Sequence, residues 1–238
     1  MIAGKHALVT GGGRGIGLAV ARALQDKGAK VSVVSRSAGE SNNGFFRASA
    51  DIMDEGQLRR AIAACRAENG PVSILINNSG IAESAPFKRT SRAMWDRIIA
   101  TNLTGTYLCT HFVIEEMLAA KWGRIVNIAS IAGLYGAPYI SAYSASKHGV
   151  MGLTRSLAPE LANSGVTVNA ICPGYTETAM MEQAVANIVK RTGLSQEAAR
   201  GELAKTNPGG RIVTAEEVAQ AAIALCESER NGAEIVLP

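Results

Sequence analysis

A serine, a tyrosine and a lysine stand close together in residues 130–147, which read S-I-A-G-L-Y-G-A-P-Y-I-S-A-Y-S-A-S-K. Tyr143 and Lys147 are four residues apart, so on a helix they share a face one turn from each other. Ser130 follows a strand-like run at 124–129 and lies across a short loop from the tyrosine. A phenol beside an ammonium, with a hydroxyl nearby, can hand a proton to an oxygen that is gaining negative charge. Taken alone, Tyr-x-x-x-Lys also fits a solvated helix face. Tyr135 and Tyr139 are of the right type too, yet neither has a lysine four residues on. What the rest of the chain places around this stretch therefore decides its chemistry.

The elements that must position it form a repeated pattern. Residues 5–10 are a short apolar run ending at Gly11-Gly-Gly-Arg-Gly-Ile-Gly17. Leu18, Val20, Ala21 and Leu24 then recur at helical spacing, and Gly28 suits a left-handed cap. Residues 30–35 are rich in β-branched side chains and end at Arg36. Strand, glycine turn, helix and strand in this order is the layout of a βαβ nucleotide-binding unit. Further strands are expected at 45–50, 72–76, 124–129, 166–171 and 233–237. Helical stretches fall at 54–68, 91–121, from about Tyr143 to 162, at 178–204 and at 214–226, with Asp54 and Thr214 as caps. Short apolar strands alternating with helices predict an α/β fold, a doubly wound seven-stranded parallel sheet covered on both faces. No linker, low-complexity run or repeat splits it, so residues 1–238 read as one domain.

Composition narrows the function classes. With 47% apolar residues and a mean hydropathy of +0.10, the chain can bury a large core. No apolar run reaches the roughly 20 residues of a membrane-spanning helix, and the start of the chain lacks a signal-peptide layout. Cys65, Cys109, Cys172 and Cys226 are scattered without a Cys-x-x-Cys pair, which points to buried free thiols of a cytoplasmic protein. His6, His111 and His148 are too dispersed for a metal site. A net charge of +4 favours anionic ligands. Acids alternate with the bases and no aromatic–basic stripe appears, so nucleic acid is not expected as a partner.

The glycine loop suits a diphosphate, because glycines let it approach the backbone and a helix start offers free N–H groups. Its spacing, Thr10-Gly11-x-x-x-Gly15-x-Gly17, differs from G-x-G-x-x-G and resembles the loop of the short-chain dehydrogenase/reductase family. Other landmarks follow in order: Asn77-Asn-Ser-Gly80, Asn102, Ser130, Tyr143-x-x-x-Lys147 and Pro173-Gly174. The resemblance, closest to 3-oxoacyl-(acyl-carrier-protein) reductases, covers residues 5–237 and implies a Rossmann-type sheet of order 3-2-1-4-5-6-7. It implies a nicotinamide cofactor held by Gly11, Arg14, Gly15, Ile16 and Gly17, with Asp51 and Ile52 beside the adenine and Asn78 and Gly80 along the adenosine. Pro173, Gly174, Thr176 and Thr178 would meet the carboxamide and phosphates. NAD-binding units carry an acid at the end of the second strand, whereas a 2′-phosphate needs a cation. Here Ser35-Arg36 stands there, the next acid is Glu40, and Arg14 adds a second cation. NADP(H) is therefore favoured over NAD(H), unless both arginines are simply solvated.

The same resemblance makes Asn102, Ser130, Tyr143 and Lys147 a catalytic tetrad. Tyr143 would protonate the carbonyl, Ser130 would hold its oxygen, and Lys147 would bind the ribose and, together with the positive nicotinamide of the oxidised cofactor, lower the phenol pKa. Asn102 would sit at a helix irregularity and hold a water linking the lysine to solvent, although an asparagine there could also be a plain helix-interior hydrogen bonder. The implied reaction interconverts a ketone and a secondary alcohol. A 3-oxoacyl thioester on CoA or an acyl carrier protein leads, suggested weakly by the turn at 206–211. The alternatives are a cyclic, steroid-like or aromatic ketone, or an idle NADP-binding redox sensor. Residues after Ser130 (Ala132, Leu134, Tyr135, Pro138, Tyr139) would wall the pocket. Residues 176–211, opening with Met180 and Met181, would form a lid whose cations Arg191, Arg200, Lys205 and Arg211 either meet an anionic carrier or face solvent. Relatives commonly form tetramers through the long helices, so a homotetramer or homodimer is expected. They also continue beyond the last strand, whereas this sequence stops at Pro238.

Overall fold

The computed structural model describes residues 1–36 and 44–237, so Glu40 and Pro238 lie outside the described residues. Seven strands align in one parallel sheet: β1 (His6–Thr10), β2 (Lys30–Ser35), β3 (Phe46–Ser49), β4 (Val72–Asn77), β5 (Gly123–Ile128), β6 (Val166–Pro173) and β7 (Glu234–Leu237). Their order is β3-β2-β1-β4-β5-β6-β7, as expected. The central strands are apolar on both faces because helices cover both. Leu8, Ile74, Leu75, Ile76, Ile125 and Ile171 are fully buried, each contributing about 1.5–3 kcal/mol relative to exposure.

Helices α1 (Gly15–Asp26) and α8 (Ala215–Glu227) pack together on one face, where Val20, Leu24, Val218 and Ile223 meet Val9, Val33 and Ile76. Helices α2 (Glu55–Asn69), α4 (Gly105–Ala119) and α5 (Ser141–Glu160) cover the other, burying Leu58, Ile62, Val113 and Met117 against Leu75 and Ile125. Strand order reverses between β1 and β4, and ligands of such sheets bind beyond the strand ends at that switch. Both glycine-bearing loops of the sequence leave the sheet there.

Two of the expected helical stretches are divided, the first at the irregularity that the resemblance implies around Asn102. The helical stretch at 91–121 is α3 (Arg92–Ile99), a π-helical turn at Ala100–Thr104, then α4. The stretch at 178–204 is two helices, α6 (Ala179–Thr192) and α7 (Gln196–Thr206). Gly193 ends α6 in the left-handed conformation (φ 73°) and Ser195 caps α7. These two helices bury Met181, Val185, Ala199 and Leu203 in a small core of their own. All four cysteines are free and buried. Among the described residues no helix is long and apolar enough to cross a membrane.

Candidate active site

Two side chains lock the glycine loop to the end of β4. Thr10 Oγ1 accepts from the backbone N–H groups of Asn78 (3.0 Å) and Ser79 (3.1 Å). Asn78 Nδ2 donates back to the carbonyls of Thr10 (2.9 Å) and Gly11 (3.3 Å). The contact is so close that a Cβ on Gly17 would stand 2.4 Å from Asn78 Nδ2 and 2.5 Å from the Gly11 carbonyl oxygen. Only glycine fits. Thr178 joins from the far side, since a Cβ on Gly15 would lie 3.2 Å from its methyl group. Thr178 also caps α6, and Thr176, buried, donates to the Gly174 carbonyl at 3.1 Å. Asn207 fastens this segment, accepting from the Tyr175 N–H (2.7 Å) and donating to the Tyr175 carbonyl (3.0 Å).

Helix α1 starts at this loop without the usual protection. Its cap position, Arg14, makes no side-chain cap hydrogen bond, and the first turn carries no acid. The first N–H groups and the positive helix end are thus available to an anion, which fits the diphosphate of a dinucleotide. Arg14 and Arg36 are both exposed. The loop reaches the end of β2, where a Cβ on Gly13 would lie 3.8 Å from Ser35 Oγ and 4.0 Å from an Arg47 guanidinium nitrogen. Arg47, on β3, brings a third cation to the place and is a residue that the sequence reading missed. Its pairing beside β2 needs the register Val33↔Arg47, which composition does not reveal. Asp51 is half-buried and accepts from the Met53 N–H at 3.0 Å, while Ile52 is buried where a Cβ on Gly105 would strike it.

The second group gathers at the ends of β5 and β6. Ser130, buried just beyond β5, accepts from the Ala132 N–H (3.1 Å), and its hydroxyl lies near enough to the Tyr143 phenol to pull its pKa down. Lys147 follows Tyr143 by one turn of α5, with its Nζ 5.8 Å from the centroid of the tyrosine ring. That Nζ donates to the Ile128 carbonyl at 2.7 Å. Burial pushes the lysine down to about 8 and the Tyr143 phenol up, more than the Ser130 hydrogen bond brings it down. The expected lowering of the phenol invokes the oxidised nicotinamide as well as Lys147, and the protein's own groups by themselves leave the phenol raised. Desolvation of a buried phenol outweighs an ammonium that is itself buried and committed to a carbonyl.

Asn102 sits in the π turn, a helix irregularity frequent at functional sites. Its side chain accepts from the Ile81 N–H (2.9 Å) and donates to the Ile81 carbonyl (3.0 Å) and to Ser146 Oγ (3.0 Å). Ser146 in turn donates to the Tyr143 carbonyl at 2.7 Å, tying the π turn to the helix of the tyrosine. A Cβ on Gly80 would lie 3.3 Å from Asn102 Oδ1 and 3.8 Å from Lys147 Nζ. Asn78 and Gly80 therefore link the two groups of residues. Beneath them runs a buried chain that sequence reasoning also missed: Asn77 Nδ2 donates to Thr110 Oγ1 (3.0 Å) and Asn127 Oδ1 (2.9 Å), and Asn127 Nδ2 to Thr154 Oγ1 (2.9 Å). Asparagines closing otherwise apolar strands were its only signal.

A family model described as short chain dehydrogenase matches residues 5–188. The chain belongs to the short-chain dehydrogenase family. It is 37% identical over 234 residues to the D-beta-hydroxybutyrate dehydrogenase of Rhizobium meliloti (strain 1021), covering 93% of this chain and 91% of that protein. It is 38% identical over 229 residues to the acetoacetyl-CoA reductase of the same organism, covering 94% and 91%. A crystal structure of a variant actinorhodin polyketide ketoreductase with NADPH superposes with a TM-score of 0.92 at 34% identity, covering 98% of this chain and 95% of that one. This short-chain dehydrogenase is an oxidoreductase acting on CH–OH and C=O groups, and its family works with a nicotinamide cofactor.

Proposed function

We propose that the chain is an NADP(H)-dependent reductase of 3-oxoacyl thioesters, running through Tyr143, Ser130, Lys147 and Asn102. The observation that carries the cofactor preference is the pair of exposed cations, Arg14 and Arg36, bordering an uncapped helix start with no acid at the end of β2 among the described residues. Two charge-assisted contacts to a 2′-phosphate would each favour NADPH. Support for the substrate comes from two relatives named for 3-hydroxybutyrate and acetoacetyl-CoA, which share an oxygen function on the third carbon of an acyl unit.

A nicotinamide cofactor bound at this site would supply the hydride. Tyr143 gives its proton to the carbonyl oxygen, and Ser130 holds that oxygen so that charge develops against a fixed donor. Lys147 keeps a positive charge beside the phenol and binds the ribose, and Asn102 sets the water path by which the tyrosine is reprotonated. Gly11, Gly15, Ile16, Gly17, Ser35, Asp51, Ile52, Asn78, Gly80, Pro173, Gly174, Thr176 and Thr178 border the cofactor. Residues 176–211 act as the lid. Arg200 pairs with Glu177 and Glu182, Lys205 with Glu202 and Arg211 with Glu217, which favours a solvated lid face over a carrier-binding one. We further infer a cytoplasmic homotetramer.

The test is turnover of acetoacetyl and longer 3-oxoacyl thioesters, with cyclic ketones alongside, using NADPH and NADH. Thioesters should be reduced with NADPH preferred. Arg36→Ala should shrink that preference by about 10-fold, the worth of one charged hydrogen bond. Equal use of both cofactors by the wild type, or no effect of Arg36→Ala, would refute the cofactor assignment. Reduction of cyclic ketones alone would refute the thioester.

A further inference from the structure

We infer that Tyr139 is a specificity residue: its ring is the wall against which the apolar body of the carbonyl substrate lies, and a strained backbone is retained to keep it there. The inference rests on carbonyl reduction at Tyr143.

Only two non-glycine residues among those described have positive φ, Lys121 (50°) and Tyr139 (69°). Lys121 turns the chain ahead of β5, at the strand end away from the site. Tyr139 lies between Ser130 and Tyr143. A bulky side chain in the left-handed region is an outlier, whereas glycine adopts that conformation without strain. The conformation itself is dictated by the backbone. The Tyr139 carbonyl accepts from the Ala85 N–H at 2.8 Å, and Ile140 (φ −121°, ψ 31°) then opens α5 with no side-chain cap. This turn delivers Tyr143 within the first turn of the helix. Glycine would make the same turn at no steric cost, so the tyrosine is there for its side chain.

That side chain does nothing evident for the fold, since Tyr139 is 60% exposed. A strained residue whose ring is not buried by its own chain points to a use for the ring outside it. Its surroundings indicate which use. Phe87, Tyr135, Tyr139 and Met180, exposed large hydrophobics among the described residues, lie within about ten residues of the ends of β4, β5 and β6. Phe87 stands two residues beyond Ala85, the hydrogen-bond partner of Tyr139. Exposed apolar side chains on segments that leave the same ends of a parallel sheet can form a surface that is covered when occupied. The fitting substrate carries an apolar acyl chain or ring next to its carbonyl, and a compact polar ketone gains nothing from this wall.

The experiment compares wild type, Tyr139→Gly and Tyr139→Phe with NADPH on four probes. These are the acetoacetyl and 3-oxooctanoyl thioesters of N-acetylcysteamine, cyclohexanone and 2-tetralone. For Tyr139→Gly, kcat/KM should fall about 10-fold or more on the large member of each pair and less than about 3-fold on the small one. The melting temperature should rise by about 2–4 °C as strain is relieved. Tyr139→Phe keeps the ring and should keep the wild-type ratio. Equal losses on large and small probes, or a lower melting temperature for Tyr139→Gly, would overturn the inference. Wild-type activity on the cyclic ketones without the thioesters would overturn the thioester assignment alone, because the ratio is then read from 2-tetralone against cyclohexanone.

Discussion

The two halves of the site are built in opposite ways. Around the glycine loop the protein leaves capacity unused: a helix start without a cap and exposed Arg14 and Arg36. Around Tyr143 the neighbouring groups are already committed: Lys147 to the Ile128 carbonyl, the Asn102 side chain to Ile81 and Ser146, and Ser146 to the Tyr143 carbonyl. Binding a charged ligand calls for donors that water can leave easily. Proton transfer calls for groups held in one geometry and removed from water, which moves their pKa values. Helix α8, which packs beside α1, shows what the loop forgoes. Thr214 and Glu217 close its first turn in a reciprocal capping box that satisfies two of the donors at its start.

The comparison breaks most clearly at Tyr143. Tyr143→Phe should cut kcat/KM by about 10³-fold, within the range for a general acid, while NADPH affinity measured by fluorescence titration changes less than about 3-fold. A comparable loss of affinity would mean that the two halves are not separable. Next in size is Arg14→Asp, which puts a cap acceptor where α1 has none, on backbone already in the extended conformation a cap needs (φ −160°, ψ 169°). It should stabilise the fold by about 1 kcal/mol in urea titrations and weaken NADPH binding by about 10-fold or more, as acid replaces cation. Unchanged affinity would show that the open helix start serves no ligand.

The smallest effect probes the buried half. Lys147 is held near 8 by burial, so its ammonium is lost as pH rises through that value. Burial holds the Tyr143 phenol above its usual range, so it stays protonated over the same interval. For reduction, kcat/KM should be level below about pH 8 and fall about 10-fold per unit above it, following single deprotonation. Lys147→Arg should shift that limb upward. A profile flat to pH 10 would remove the lysine charge from the rate.

Much of this was legible in order along the chain. The seven strands, the caps Asp54 and Thr214 and the four cysteines stood where apolar runs and turn residues put them, because local pattern and burial agree in a sheet covered on both faces. Boundaries moved by a residue or two. Within 91–121 periodicity alone could not show a π turn, because Asn102 bends the helix through hydrogen bonds to Ile81 and Ser146, residues distant in sequence. Arg47, Ser146 and Asn207 were missed for the same reason.

The sequence by itself determined the fold class from its strand–helix pattern, and the reaction family and candidate reacting groups from motifs that resemble those of a known family. Tertiary structure alone decided the electrostatics. Burial, which spacing does not encode, raises the phenol and lowers the ammonium. It also decided which tyrosine is strained: φ at Tyr139 is fixed by a hydrogen bond to Ala85 across the loop, and no local pattern in the chain specifies that contact.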